Sequence, residues 1–334
     1  MARMNVPVQA ATEQIALQRR AAGRRNSGPP AGVSGRSGGQ SIGYYFIIPC
    51  VGLFLLFIGY PLVRSIYLSF TEWPGFGPAK FVGFQNFSAM FHDPVFITAL
   101  ENTIEFTAAT TIISTFLAMV LAAVLRARWR FGTVFRVAIF VPALLSLVVS
   151  GTVWGLIYEP NFGILDSFLN AVGLHSIAIS LLSNSATVLP ALIVVAIWQS
   201  LGFFMLIFYA ALQDIDPELY EAAQLDGASV AAQFRYVTMP MLRTVTSIVV
   251  TLNLINGMRV FDIIYVMTGG GPDNASQSLT TYLYSLAFGG PAAGAIPAIG
   301  YATAIGVIVL ILAIIIVATQ LAIGARRRLT LEKT

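Results

Sequence analysis

The chain has 334 residues, 57% of them hydrophobic and only 10% charged, with a net charge of +4. Soluble domains carry about 25% charged residues, so the composition excludes an ordinary water-soluble globule and indicates a membrane protein. The basic residues lie where membrane topology would put them, which removes the argument for nucleic acid, and the single cysteine, Cys50, excludes an intrachain disulfide framework.

Residues 1–42 are rich in Gly, Ser, Arg and Pro, and Glu13 is their only acid. Such a segment buries too little apolar surface to fold, so it reads as a disordered basic tail rather than a transit or signal peptide. Six apolar stretches follow, near 43–63, 99–125, 133–158, 187–212, 241–267 and 297–323. Each is long enough for the roughly 20 helical residues that cross a bilayer. The reading is an all-α integral membrane fold: a first helix and outer loop over 43–98, a transmembrane domain over 99–323, and a basic tail over 324–334. Sixteen of the nineteen Arg and Lys residues fall on one side of these spans; Arg64 and Lys80 face the other, and Arg259 lies within a span. By the positive-inside rule both termini are cytoplasmic, and so is the polar loop 213–240 between the fourth and fifth spans.

That loop carries its own punctuation. Asp216 suits a helix N-cap, Pro217 the first helical position, and Glu218 the positive end of the dipole. Leu219, Ala222, Ala223 and Leu225 are its expected apolar contacts. Asp226-Gly227 ends that helix, and Ser229 caps a second that runs to about Arg235. Five acids (Asp214, Asp216, Glu218, Glu221, Asp226) stand against Arg235 and Arg243, so anionic lipid would repel the loop and a protein partner suits it better.

Glu221, Ala222, Ala223, Gly227, Val237 and Pro240 fall on the spacing of the EAA loop of ABC-importer permeases, which this segment resembles; Met239 stands where Leu is usual. The segments SFTEW…FVGFQNFSAMFHDPVFITALENTIEFT and FDIIYVMTGGGPDNASQSLTTYLYSLAFGG resemble the carbohydrate-uptake branch of that family, the maltose-F or glycerol-phosphate-A kind. The resemblance covers about residues 44–325. It implies six transmembrane helices in the type I ABC-importer arrangement, a five-helix core plus an N-terminal helix, in a prokaryotic cell membrane. Its implied partners are a second, unlike permease, a homodimeric ATP-binding subunit and an extracytoplasmic solute-binding protein. ATPase coupling would fall to Glu221, Ala222, Ala223, Asp226, Gly227 and Pro240. The chain has no G-x-x-x-x-G-K-[ST] phosphate loop, so ATP and magnesium belong to the partner and no cofactor is expected here.

Polar residues inside a span are costly and mark pathways. Asn253 and Asn256 lie three apart near the middle of the fifth span, on one face, with Arg259 beyond them and Asp262 placed to neutralise it. Helix–helix hydrogen bonding is the blander role for the asparagines, as an ion pair is for Arg259. Trp198, Gln199 and Ser200 of the fourth span offer the aromatic plate and polar rim that a sugar needs. Tyr301 of the sixth is a further candidate, whereas Trp154 reads as an interface anchor. Glu101 and Glu105 are expected to be solvated or paired. His92 and His175 lie in outer loops, and no nucleophile–base pair or metal-ligand cluster falls within a span, which argues against an enzyme. An ion-coupled secondary transporter would need acids or a broken-helix cation site at mid-depth. Import of glycerol 3-phosphate, a phosphodiester or a polyol remains the nearer alternative.

Overall fold

A computed structural model describes residues 47–126, 131–160, 162–172, 181–290 and 297–331, without the side chains of Asn170, Leu321 and 323–331. The expected tail 1–42, Arg128, Arg130 and His175, and the side chains of Arg326, Arg327, Arg328 and Lys333 lie outside this description.

The chain divides into two units, residues 1–61 and 62–334. The first is described from Ile47, in helix α1 (Ile47–Leu68), whose most apolar window buries no residue. In the second unit, β1 (Thr71–Glu72) and β2 (Lys80–Phe81) form an antiparallel pair with Thr71 opposite Phe81. Then come α2 (Gln85–Met90), α3 (Pro94–Arg126), α4 (Gly132–Leu144), α5 (Leu147–Ile157), α6 (Ile164–Ala171) and α7 (Val188–Gln213). The remainder is α8 (Pro217–Leu225), α9 (Val230–Met241, with a π turn at Phe234–Thr238), α10 (Arg243–Met258), α11 (Asp262–Met267), α12 (Leu279–Phe288) and α13 (Ile299–Leu331).

Four helices are long and apolar enough to cross a membrane, and the described residues give six spans if each of two bent pairs is counted as one. Helix α3 has 33 residues and so is about 50 Å long, well beyond the roughly 30 Å hydrocarbon core. Asp93 starts it by accepting from the amides of Val95 (2.9 Å) and Phe96 (3.3 Å). Its inner face carries Thr103, Thr107 and Thr110, whose hydroxyls donate to carbonyls one turn back on α3. These satisfied polar groups are small enough to allow close approach. A methyl added at Gly257 of α10 would lie 2.8 Å from the Thr107 hydroxyl, which marks that contact. On α7, Phe204, Met205, Phe208 and Leu212 are fully buried with Ala118 and Ala122 of α3.

Two expected spans are not continuous. The third bends by 101° between α4 and α5, with Leu145 and Ser146 extended. Pro142 has no N–H to give the Ala138 carbonyl in the last turn of α4, and past the helix end the Leu145 carbonyl accepts from Nε2 of Gln199 at 3.2 Å. In the fifth, α10 ends at Met258 and α11 begins at Asp262. Ser278 (2.9 Å) and Thr280 both donate to the Val260 carbonyl. Non-helical backbone at membrane depth is tolerated where protein covers it or a cavity lies beside it. Helix α12, which lies between the fifth and sixth apolar stretches, is set by Ser278 and Thr281, which cap each other's backbone amides.

Candidate functional site

The second break, Arg259 to Phe261, lines a cavity of about 360 Å³, and Leu147, the first residue after the other break, lies on its wall. Gln199, Ser200, Asn253, Asn256 and Arg259 all line it, five of the seven residues chosen from sequence. Thr110 and Asp262 complete its polar wall, and Phe106, Phe204 and Phe261 supply rings. Amides, hydroxyls and aromatic faces around one small volume suit a ligand with an apolar face and a hydroxyl rim.

The lining residues are not equivalent. Asn253 is only 5% exposed; its amide donates to the Val249 carbonyl at 3.2 Å and reaches Oγ1 of Thr115 at 3.5 Å. It ties α10 to α3 besides lining the cavity. Asn256 is exposed to the cavity side of the same helix and free to meet a ligand. Gln199 and Ser200 are partly engaged, at the Leu145 and Ile197 carbonyls.

Arg259 and Asp262 do not form the expected ion pair, since their charged groups do not come within 4.0 Å of each other. Arg259 adopts φ −107°, ψ 17° at the end of α10, so the helical three-residue spacing that would have paired it with Asp262 is lost. Both charged groups face the cavity separately.

Two candidates lie elsewhere. The Tyr301 hydroxyl donates to Oδ2 of Asp93 at 2.7 Å, beside that of Tyr282 at 2.6 Å. Tyr301 therefore clamps α13 to the start of α3. Burial, reinforced by Asp93, pushes the Tyr282 hydroxyl above its ordinary value and keeps it a donor. Trp198 meets Trp154 edge to face at 5.4 Å, and Trp154 also lies 5.2 Å from Tyr158. Trp154 is thus packed against the apolar core around α7 and is not a free interface anchor. Glu101 and Glu105 are exposed, as expected.

The loop 213–240 follows its sequence signals closely. Oδ1 of Asp216 accepts from the Glu218 amide at 2.9 Å, Oγ of Ser229 from that of Ala232 at 3.3 Å, and Gly227 sits at φ +78°. Of the expected apolar contacts of α8, Leu219, Ala222 and Leu225 are left exposed by the described residues, and Ala223 is half-buried. No residue of Pro217–Leu225 is buried; Leu225 is 89% and Val230 83% exposed. What fixes the loop is Tyr220. Its hydroxyl lies 3.0 Å from that of Thr238, and the Arg126 guanidinium stacks 4.3 Å from its ring while donating to the Ile215 carbonyl at 3.2 Å. Arg126 was legible from sequence only as a topology charge.

The family described as binding-protein-dependent transport system inner membrane component matches residues 114–329. The chain belongs to that family. It is a transport component, embedded in a membrane, rather than an enzyme. Curated relatives include a probable ABC transporter permease protein, YurN, of Bacillus subtilis, 35% identical over 81% of this chain and 91% of the relative. The arabinooligosaccharides transport system permease protein AraP of the same species is 34% identical over 82% of this chain and 85% of its own length. The lactose transport system permease protein LacF of Rhizobium radiobacter is 31% identical over 82% and 91%. A chain in the crystal structure of a bacterial alginate ABC transporter, in complex with alginate pentasaccharide-bound periplasmic protein, shares the fold. The match has TM-score 0.74 at 22% identity, over 85% of this chain and 94% of that one.

Proposed function

We propose that this permease carries a sugar or oligosaccharide through the cavity between α3, α7 and α10 in an importer driven by a separate ATP-binding subunit. The observation that carries the substrate class is the lining itself, amides and hydroxyls beside Phe106, Phe204 and Phe261. The relatives named for arabinooligosaccharides and lactose support it. The sixteen-to-two distribution of basic residues supports cytoplasmic termini, with the Glu221–Pro240 segment facing inward. There the uncovered apolar residues Leu225 and Val230 offer the ATP-binding subunit a docking knob. Closure of that subunit would move α8 and α9, and the Tyr220–Arg126 contact would pass the motion to α3. An unlike second permease would complete the pathway, and an extracytoplasmic binding protein would deliver the solute.

Arg259, unpaired at the cavity wall, favours a second reading in which the solute is a phosphate ester such as glycerol 3-phosphate. Uptake assays in cells with the intact importer separate the two, since a sugar and glycerol phosphate compete only for their own carrier.

Replacing Asn256 by Leu removes a polar ligand contact worth about 1–2 kcal/mol, which is a five- to thirtyfold rise in KM for uptake. The amount of assembled complex should stay unchanged. Normal KM together with poor assembly would show that Asn256 serves helix packing alone.

A further inference from the structure

We propose that the inward ends of α3, α10 and α13 hold one anionic phospholipid, a site resting on the cytoplasmic placement argued above. A cleft of about 660 Å³ opens between them, separate from the mid-membrane cavity. Arg235 and Arg243 form its rim, and none of the five acids that would make the rest of the loop repel anionic lipid lines it; both arginines are exposed, and neither has a carboxylate within 4.0 Å among the described residues. The Arg235 guanidinium lies 5.9 Å from the Tyr236 ring. Two unpaired guanidiniums converging on one cleft call for an anion from outside the chain, and phosphate matches their planar forks.

The depth profile identifies which anion. Arg243 opens α10, the hydroxyls of Thr246 and Ser247 come one turn in, and Val250 lies seven residues along, about 10 Å deeper. Met119 of α3 forms the opposite apolar wall. Charge at the mouth, hydroxyls next and hydrocarbon beyond is the order in which a phospholipid presents phosphate, ester and acyl chain. A free phosphate would use the rim and leave the Met119–Val250 end empty. Basic pockets between helices on the cytoplasmic side are suited to such headgroups.

The test is native mass spectrometry of the assembled importer, purified from nanodiscs of phosphatidylcholine doped with phosphatidylglycerol. Wild type should retain phosphatidylglycerol in preference to phosphatidylcholine. The Arg235→Gln/Arg243→Gln double variant should bind it at least tenfold more weakly. Val250→Trp, which fills the apolar end and keeps both arginines, should weaken it as well. Equal retention by the double variant overturns the proposal. So does displacement by excess inorganic phosphate with Val250→Trp without effect, the signature of a free-anion site. A cross-link from position 243 to another protein chain in lipid-replete complex also overturns it, because the cleft is then a subunit interface. Lipid retention is read without uptake, so its failure leaves the importer reading standing. Labelling of Arg243→Cys from outside the cell would instead bring down the orientation on which both depend.

Discussion

Valine in place of Gly227 is expected to cut solute uptake at least tenfold while leaving the protein in the membrane at near-normal abundance. Gly227 sits at φ +78°, and among the described residues a Cβ there meets nothing beyond its chain neighbours within 4 Å. The folded chain therefore pays only for the left-handed backbone, about 1–2 kcal/mol, and the β-branched side chain raises that further. The larger effect falls on docking. Relief of the strain rotates α8 against α9 and displaces the exposed knob that includes Leu225 and Val230. Asparagine tolerates the left-handed region, so uptake should rank Gly, then Asn, then Val. Proteoliposome uptake and ATP hydrolysis, normalised to protein by immunoblot, check the order. Full uptake by the valine variant would remove the loop from the mechanism.

Gly202→Val should be worse for the fold than any change in the loop. A Cβ at Gly202 would lie 2.2 Å from the Ile139 carbonyl oxygen and 2.6 Å from the Phe140 Cα. Both are backbone atoms of α4, which no rotamer change can move aside. Overpacking typically costs 1–3 kcal/mol and more where backbone must shift, so about 3 kcal/mol or above is expected here. The displaced α4 would also lose the Gln199–Leu145 bond that closes the break beside the cavity. Gly155→Ala is the control, since a Cβ there meets nothing within 4 Å. Thermal unfolding in detergent should show Gly155→Ala near wild type and little folded Gly202→Val. Equal stability of the two variants would mean that α4 and α7 do not cross at Gly202.

Local chemistry was readable in the chain, and long-range facing was not. The apolar windows gave the spans because a membrane demands about 20 such residues in a row. Asp216, Gly227 and Ser229 set the loop helices through bonds two or three residues long, so spacing sufficed. The breaks at Leu145–Ser146 and Arg259–Phe261 fall inside long apolar windows, and the carbonyls of Leu145 and Val260 are satisfied from Gln199, Ser278 and Thr280, 18 to 54 residues on. Hydropathy cannot report such partners. Tyr301 was misplaced for the same reason: its hydroxyl goes to Asp93, 208 residues away. Asn253 and Asn256 were correctly put on one helix face, yet only the packing of α3 shows that Asn253 is also bonded across helices.

The central question is whether segment 221–240 is held by an ATP-binding subunit inside the cell. Cysteine cross-linking from Ala223→Cys, with the exposed Cys50 replaced by Ser, measures this most directly. The prediction is a covalent adduct with that subunit whose yield changes on adding ATP, and no labelling by an impermeant thiol reagent applied outside. Labelling from outside, or cross-linking to no protein at all, would contradict it.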